Sequence, residues 1–121
     1  MTSTTNVGMH LIMDARNIGN DNKLCQLSVV KSWANAVIAA TKMKARNWII
    51  DVLDKDDETE PGISIIVEIA TSHIAIHTWP EKGRLNADVF SCKPFDEAKV
   101  VELLENHFDV ECTQSLVLHR T

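Results

Sequence analysis

The centre of the predicted sheet is encoded by residues 62–92, GISIIVEIATSHIAIHTWPEKGRLNADVFSC. It contains three segments, over residues 63–69, 74–78 and 85–91, with short breaks between them, and the first two are rich in β-branched residues. Segments of this length and composition predict three consecutive strands. Residues 70–81 also concentrate a serine, two histidines, a tryptophan and a glutamate, which calls for a chemical explanation.

The flanking sequence adds two helices and three more strands. The predicted elements are a strand over 7–15, a helix from Leu24 to about Met43, a buried strand over 48–53, a helix beginning near Pro94 with Asp96 and Glu97 in its first turn, and a last strand over 115–118. Apolar residues recur at helical spacing at Leu27, Val30, Ala34, Val37 and Ile38, and again at Val100, Val101, Leu104 and Phe108. Acidic residues with Pro61 and Gly62 predict an exposed turn over 54–62. The order predicts an α+β two-layer sandwich, with two helices on one face of an antiparallel-rich sheet and the other face left for water, a ligand or a partner.

Composition narrows the possible functions. The 121 residues suit a single domain over 1–121, and 45% hydrophobic with 24% charged residues is typical of a soluble globular protein. A formal charge of −5 disfavours nucleic acid as a partner. The first ten residues lack a basic region followed by an apolar stretch, and no apolar run approaches the roughly 20 residues that span a bilayer, so we expect a cytoplasmic protein. Cys25, Cys92 and Cys112 form no CxxC pair and no even set, which predicts reduced thiols.

The polar residues of 70–81 fit neither a zinc site nor a serine hydrolase. His73, His77 and Cys92 would be the zinc ligands, but the H-x3-H spacing requires a helix, and on a strand the two imidazoles lie about 13 Å apart. Ser72 has no GxSxG elbow around it and no acid placed to orient His77. Spacing alone therefore favours a structural interpretation, with Ser72 in a turn and the histidines partly buried in a strand.

Resemblance to a known family changes this interpretation. Residues 72–92 resemble the signature of the prokaryotic S-adenosylmethionine decarboxylases, in which Ser-His, a His-Thr-Trp-Pro-Glu run, a glycine, an aspartate and Phe-x-Cys follow at this spacing. GMHLIMD (8–14) and GISIIVEIA (62–70) resemble the first strand of that family and the strand before its cleavage site. The resemblance implies a proenzyme that cuts itself between Thr71 and Ser72 into chains 1–71 and 72–121, and then decarboxylates S-adenosylmethionine to the aminopropyl donor of spermidine synthesis.

The resemblance also implies roles for four residues. Ser72 would attack the Thr71 carbonyl and become a pyruvoyl group, which forms a Schiff base with the substrate amine. Ser64 would support the tetrahedral intermediate of the shift, and His77 would remove the α-proton of Ser72. Cys92 would donate a proton to the decarboxylated product. No metal and no pyridoxal phosphate are implied, because the pyruvoyl ketone is itself the electron sink.

Substrate recognition is implied by two further residues. Glu81 matches the family glutamate that binds the ribose hydroxyls, and Trp79 matches an aromatic residue near the adenine. The chain departs from the family pattern in two places: Thr71 replaces the usual glutamate before the cleaved serine, and residues 49–63 lack the usual aromatic. The acidic segment over 54–60 would suit a cationic amine, so two alternatives stay open: a same-scaffold decarboxylase of ornithine or arginine, and a catalytically silent subunit that activates a partner.

The spacing of Ser72 and His77 predicts how the site is assembled. The two residues are five positions apart, so on one regular strand they point to opposite faces, about 16 Å from each other. Either the chain turns sharply after Ser72, or His77 reaches the Ser72 of a second copy. The family is dimeric with active sites at the subunit interface, which favours a homodimer with two equivalent sites.

Overall fold

The computed structural model describes residues 8–19, 23–56 and 59–121. Six strands and two α-helices follow one another as β1 (Gly8–Ala15), α1 (Leu27–Thr41), β2 (Ala45–Leu53), β3 (Gly62–Ile69), β4 (Ser72–Trp79), β5 (Arg84–Ser91), α2 (Glu97–Phe108) and β6 (Gln114–Arg120), with 3₁₀ turns at Lys23–Cys25 and Pro80–Lys82. The predicted order of elements is confirmed. Residue 7, which was predicted to begin the first strand, and residues 57–58 of the predicted turn lie outside the described residues.

The strands form one sheet in the order β2-β3-β4-β5-β1-β6. All five pairings between the described strands are antiparallel. Tight connections join β3 to β4 and β4 to β5, whereas β1 pairs with β5 and β6 from far along the chain. The segment 62–92 therefore forms three of the four inner strands, and β1 completes them.

Both helices pack on one face of this sheet, which confirms the α+β two-layer sandwich. Alternate strand residues supply the apolar core, including Leu11, Met13, Ile65, Val67, Ile74, Ile76, Leu85 and Val89, all at most 1% exposed. Trp33 from α1 and Phe108 from α2 are the largest fully buried side chains. Burying each such side chain contributes about 1.5–3 kcal/mol, so this face holds most of the folding free energy.

The helix ends differ from the prediction at α1 and agree with it at α2. Helix α1 is shorter than the predicted helix from Leu24 to Met43, because Leu24 lies in a separate 3₁₀ turn and Lys42 ends α1 in the left-handed conformation. At α2 the Asp96 carboxylate accepts the Lys99 backbone N–H, which satisfies one of the unpaired donors of the first turn. Neither described helix is long and apolar enough to cross a membrane.

The prediction of a buried strand over 48–53 was wrong. β2 is an edge strand with a neighbour on one side only, and its Ile49 and Val52 side chains are 63% and 54% exposed. Its Ile and Val content reflects strand propensity rather than burial, because an edge strand needs the same backbone geometry as an inner one.

Candidate active site

The side of the sheet opposite the helices is called the open face. Because side chains alternate along each strand, it carries His10, Ile12 and Asp14 from β1, Ser64, Ile66 and Glu68 from β3, His73, Ala75 and His77 from β4, Asn86, Asp88 and Phe90 from β5, and Leu116 and Leu118 from β6. Serine, histidine and aspartate side chains thus share this face with exposed apolar residues. It combines reactive groups with a surface suited to a partner.

Thr71, Ser72 and Cys92 form one group of candidate residues, called the turn group. Ala70 and Thr71 make the two-residue turn between β3 and β4, so that Ile69 pairs with Ser72. The Cys92 backbone N–H donates to Ser72 Oγ at 3.1 Å, and the Thr71 hydroxyl donates to Cys92 Sγ at 3.0 Å. Hydrogen bonding to Thr71 and, less strongly, to Ser72 lowers the pKa of the Cys92 thiol. The structure therefore holds the hydroxyl of Ser72 and the sulfur of Cys92 side by side.

A cavity of about 410 Å³ opens beside the turn group. Ser72 and Cys92 line it together with Lys42, Lys44 and Lys93. Three lysines among the residues that line one cavity favour an anionic group such as a carboxylate. Sequence reasoning missed these lysines, because they come from the end of α1, the lead into β2 and the segment after β5.

Ser64 and His77 form a second group, called the face pair. They lie directly opposite each other in the β3–β4 ladder, and Ser64 Oγ is 2.8 Å from His77 Nδ1. The bond links a hydroxyl to an imidazole nitrogen that can accept or donate according to its tautomer. Such a pair can hold an oxygen and move a proton, which are the roles that the family resemblance implies for these two residues.

The face pair does not reach the Ser72 of its own chain. β4 runs without interruption from Ser72 to Trp79, so the alternative of a sharp turn after Ser72 was wrong. Five residues of strand separate Ser72 from His77 by about 16 Å. The candidate residues of one chain thus lie in two places.

Trp79 and Glu81 lie still farther from Ser72, at the opposite end of β4. The Arg84 guanidinium carbon is 4.4 Å from the centre of the Trp79 ring, so a cation already covers one face of the indole. Glu81 Oε1 is 3.4 Å from Lys55 Nζ, and its side chain is 52% exposed. The structure places both residues near the His77 end of β4 and away from the turn group.

His10, His73 and Asp88 form a third polar group on the open face. Asp88 Oδ2 lies 2.8 Å from both His10 Nε2 and His73 Nε2, and all three ligand atoms lie within 4.8 Å of one another, close enough to hold a metal ion. The Arg120 guanidinium lies 3.4 Å from His10 Nδ1. Because arginine can only donate, this contact directs the Nε2–H of His10 to Asp88, and the hydrogen bonds are satisfied without an ion. The zinc set considered from sequence, with His77 and Cys92, is not brought together.

The fold and the grouped serine, histidine and cysteine side chains are those of an α+β enzyme. The family profile described as S-adenosylmethionine decarboxylase matches residues 9–121. The chain belongs to this family, and the resemblance found from its motifs is confirmed.

Relatives and a solved structure agree with this assignment. The S-adenosylmethionine decarboxylase proenzyme of Thermodesulfovibrio yellowstonii is 38% identical over 94% of this chain and 85% of its own length. The proenzyme of Archaeoglobus fulgidus is 29% identical over 94% of this chain and 97% of its own length. The crystal structure of the adenosylmethionine decarboxylase from Aquifex aeolicus superposes with a TM-score of 0.80 at 19% identity, covering 97% of this chain and 92% of that one. At that identity the likeness supports the fold.

Proposed function

We propose that this chain is a proenzyme that cuts itself between Thr71 and Ser72 and then decarboxylates S-adenosylmethionine. The observation that carries the proposal is the turn group, in which the Cys92 N–H holds Ser72 Oγ at 3.1 Å in the turn that contains the bond to be cut. Family membership indicates the class of reaction, and the turn group contains the residues that would carry out the cleavage.

Processing converts Ser72 in three steps. Ser72 Oγ bonds to the Thr71 carbonyl carbon, the Thr71–Ser72 C–N bond breaks, and the hydroxyl proton passes to the nitrogen, which leaves an ester. His77 then removes the α-proton of Ser72, the Cβ–Oγ bond breaks, and Thr71 leaves as a carboxylate. The dehydroalanine left at residue 72 then takes up a proton at Cβ and becomes an imine, water replaces the imine nitrogen, ammonia departs, and a ketone remains. Ser64 donates to the oxyanion of the first step.

A second copy of the chain supplies His77 and Ser64 in this proposal. The 16 Å or so between Ser72 and His77 along β4 is too far for proton transfer within one chain. The open face exposes apolar side chains that a partner would cover: Leu116 is 55%, Leu118 43% and Ile66 38% exposed, and Ile49, which pairs with Ile66 and so shares this face, is 63% exposed. A two-fold symmetric dimer gives two equivalent composite sites.

The turn group and its cavity suit the catalytic step. The pyruvoyl ketone, once formed at residue 72, supplies the electron sink that a decarboxylation requires. Cys92 Sγ lies next to residue 72 on the same cavity wall, from which it delivers a proton to the product carbon. Lys42, Lys44 and Lys93 bring positive potential to the cavity that receives the substrate carboxylate.

Coexpression of two inactive chains tests cleavage and assembly together. Denaturing electrophoresis should show two bands for the wild type and one for Ser72→Ala and His77→Ala, whereas Ser115→Ala, a control on an edge strand, should cleave. When the two inactive chains are coexpressed with tags of different size, only the His77→Ala chain should be cut, because it keeps Ser72 and borrows His77 from its partner. A wild-type chain that stays whole would refute self-cleavage. A His77→Ala chain that stays whole beside Ser72→Ala would refute the shared site.

Carbon dioxide release from labelled substrates tests the substrate. We expect release from S-adenosylmethionine and none from ornithine or arginine. Glu81→Gln should weaken use of S-adenosylmethionine by about tenfold or more, because the second copy would bring its Glu81 to the site together with its His77, and a hydrogen bond to a charged group contributes roughly 1.5–3 kcal/mol. Release from ornithine or arginine alone would support the same-scaffold alternative, and cleavage without any release would support the silent subunit.

A further inference from the structure

Thr71 occupies an uncommon backbone conformation at the residue whose peptide bond the proposed function breaks. Its φ is +58°, in the left-handed region. Three other non-glycine residues of the described chain share a positive φ: Lys42 and Asp109 end helices, where this conformation is usual, and Asn17 is of a type that tolerates it. Among these four, Thr71 alone is β-branched, and a β-branched side chain at positive φ is a genuine outlier.

The hairpin imposes this conformation. A two-residue turn with a positive φ at its second residue normally takes glycine or asparagine there. The pairs on either side hold the turn in place, because Ile69 and Ser72 are opposite each other and only 6% and 8% exposed. Moving Thr71 out of the left-handed region would therefore disturb the end of the β3–β4 ladder.

The Thr71 side chain is itself held. Its hydroxyl lies 2.6 Å from the Ala70 carbonyl oxygen and 3.0 Å from Cys92 Sγ. These contacts orient the side chain but do not remove the crowding between its γ atoms and the backbone. Thr71, a residue type that is disfavoured at this turn position, thus lies directly before the scissile bond.

We infer that Thr71 stores conformational strain in the precursor and that self-cleavage releases it, which accelerates the acyl shift. This inference rests on the proposed self-cleavage. The shift exchanges a resonance-stabilised amide for an ester and is therefore unfavourable by itself. In the ester, the path from the Thr71 carbonyl to the Ser72 Cα runs through Oγ and Cβ and is one bond longer, so Thr71 begins to relax. The final elimination frees it, and strain in the starting state lowers the barrier to leaving that state.

Cleavage rates of Thr71 variants test the inference, measured as the decay of full-length chain after a pulse of cell-free synthesis. Thr71→Asn and Thr71→Gly tolerate positive φ and should cleave more slowly than wild type, on the order of tenfold. Thr71→Val keeps the branched side chain without the hydroxyl, and Thr71→Ser keeps the hydroxyl without the branch. If strain accelerates cleavage, the Thr71→Val chain should be cut faster than the Thr71→Ser chain. Asn17→Gly, which eases a positive φ far from the turn, should leave the rate unchanged.

Thermal unfolding in the uncleavable Ser72→Ala chain measures the strain separately from cleavage. Thr71→Asn should raise the unfolding midpoint by about 4 °C, whereas Thr71→Val should not raise it. Ser cleaving faster than Val would assign the effect to the hydroxyl and overturn the inference, as would wild-type rates for Asn and Gly or an unchanged midpoint for Asn. If even the wild-type chain stays whole, self-cleavage and the role of Thr71 in it both fail, while the midpoints still report whether Thr71 is strained.

Discussion

Ile65 and Ile66 are consecutive residues of β3, yet Ile65 is completely buried and Ile66 is 38% exposed. The same contrast separates the whole helix-covered face of the sheet from the open face. The covered face is almost entirely apolar, whereas the open face carries Ser64, His77 and Asp88 among exposed aliphatic side chains. One set of strands thereby divides its tasks, because the face that packs against helices stabilises the fold and leaves the other free to hold polar and reactive groups.

The largest expected effect contrasts these two faces directly. Ile65→Ala should lower the free energy of unfolding by about 2–5 kcal/mol, since it removes buried methyl groups and leaves a cavity. Ile66→Ala should lower it by about 1 kcal/mol or less in the separated subunit. Both are measured by urea unfolding of the uncleavable Ser72→Ala chain.

Protein concentration separates folding from assembly in this comparison. If the open face is the subunit interface, the effect of Ile66→Ala should grow at concentrations at which the parent chain is dimeric, because dimerisation adds to apparent stability. Equal losses for the two variants in dilute solution would contradict the difference between the faces.

A smaller effect is expected within the open face. Asp88→Asn replaces the charged oxygen that both His10 and His73 approach with a neutral amide oxygen, so both hydrogen bonds lose their charge-assisted character. We expect a loss of about 1 kcal/mol at neutral pH, the low end for bonds to charged groups because the site is partly solvated. Glu68→Gln, on the same face of β3, is the matched control and should stay within about 0.5 kcal/mol. If Glu68→Gln lowered the free energy of unfolding as much as Asp88→Asn, the contact of Asp88 with the two histidines would have no specific stabilising effect.

The smallest effect concerns the reactivity of two thiols. Hydrogen bonding to the Thr71 hydroxyl lowers the pKa of the Cys92 thiol, whereas burial raises the pKa of Cys112. Because alkylation requires the thiolate, Cys92 should react with iodoacetamide at lower pH than Cys112. Peptide mass spectrometry of the uncleaved Ser72→Ala chain measures both profiles at once, and Thr71→Val should shift only the Cys92 profile to higher pH. A Cys112 profile at the lower pH would contradict the assignment.

The sequence alone determined most of the architecture. Strand-forming segments and helical apolar spacing placed the six strands and both α-helices, because strand and helix periodicity is local and each apolar stripe has to be buried. The motif over 72–92 identified the family, because a motif consists of nearby residues that can be read without knowledge of tertiary contacts. The roles of Ser64, Ser72, His77, Cys92, Trp79 and Glu81 stay predictions.

Tertiary structure alone decided strand order and register, and with them the layout of the site. The position of β2 at the edge left Ile49 exposed, although its composition resembles that of an inner strand. The two-residue turn at 70–71 pairs Ile69 with Ser72 and therefore Ser64 with His77, which separates the face pair from Ser72. The same turn drives Thr71 to positive φ. Such features depend on hydrogen bonds between segments far apart in the chain, and local periodicity carries no information about which strands become neighbours or how they align.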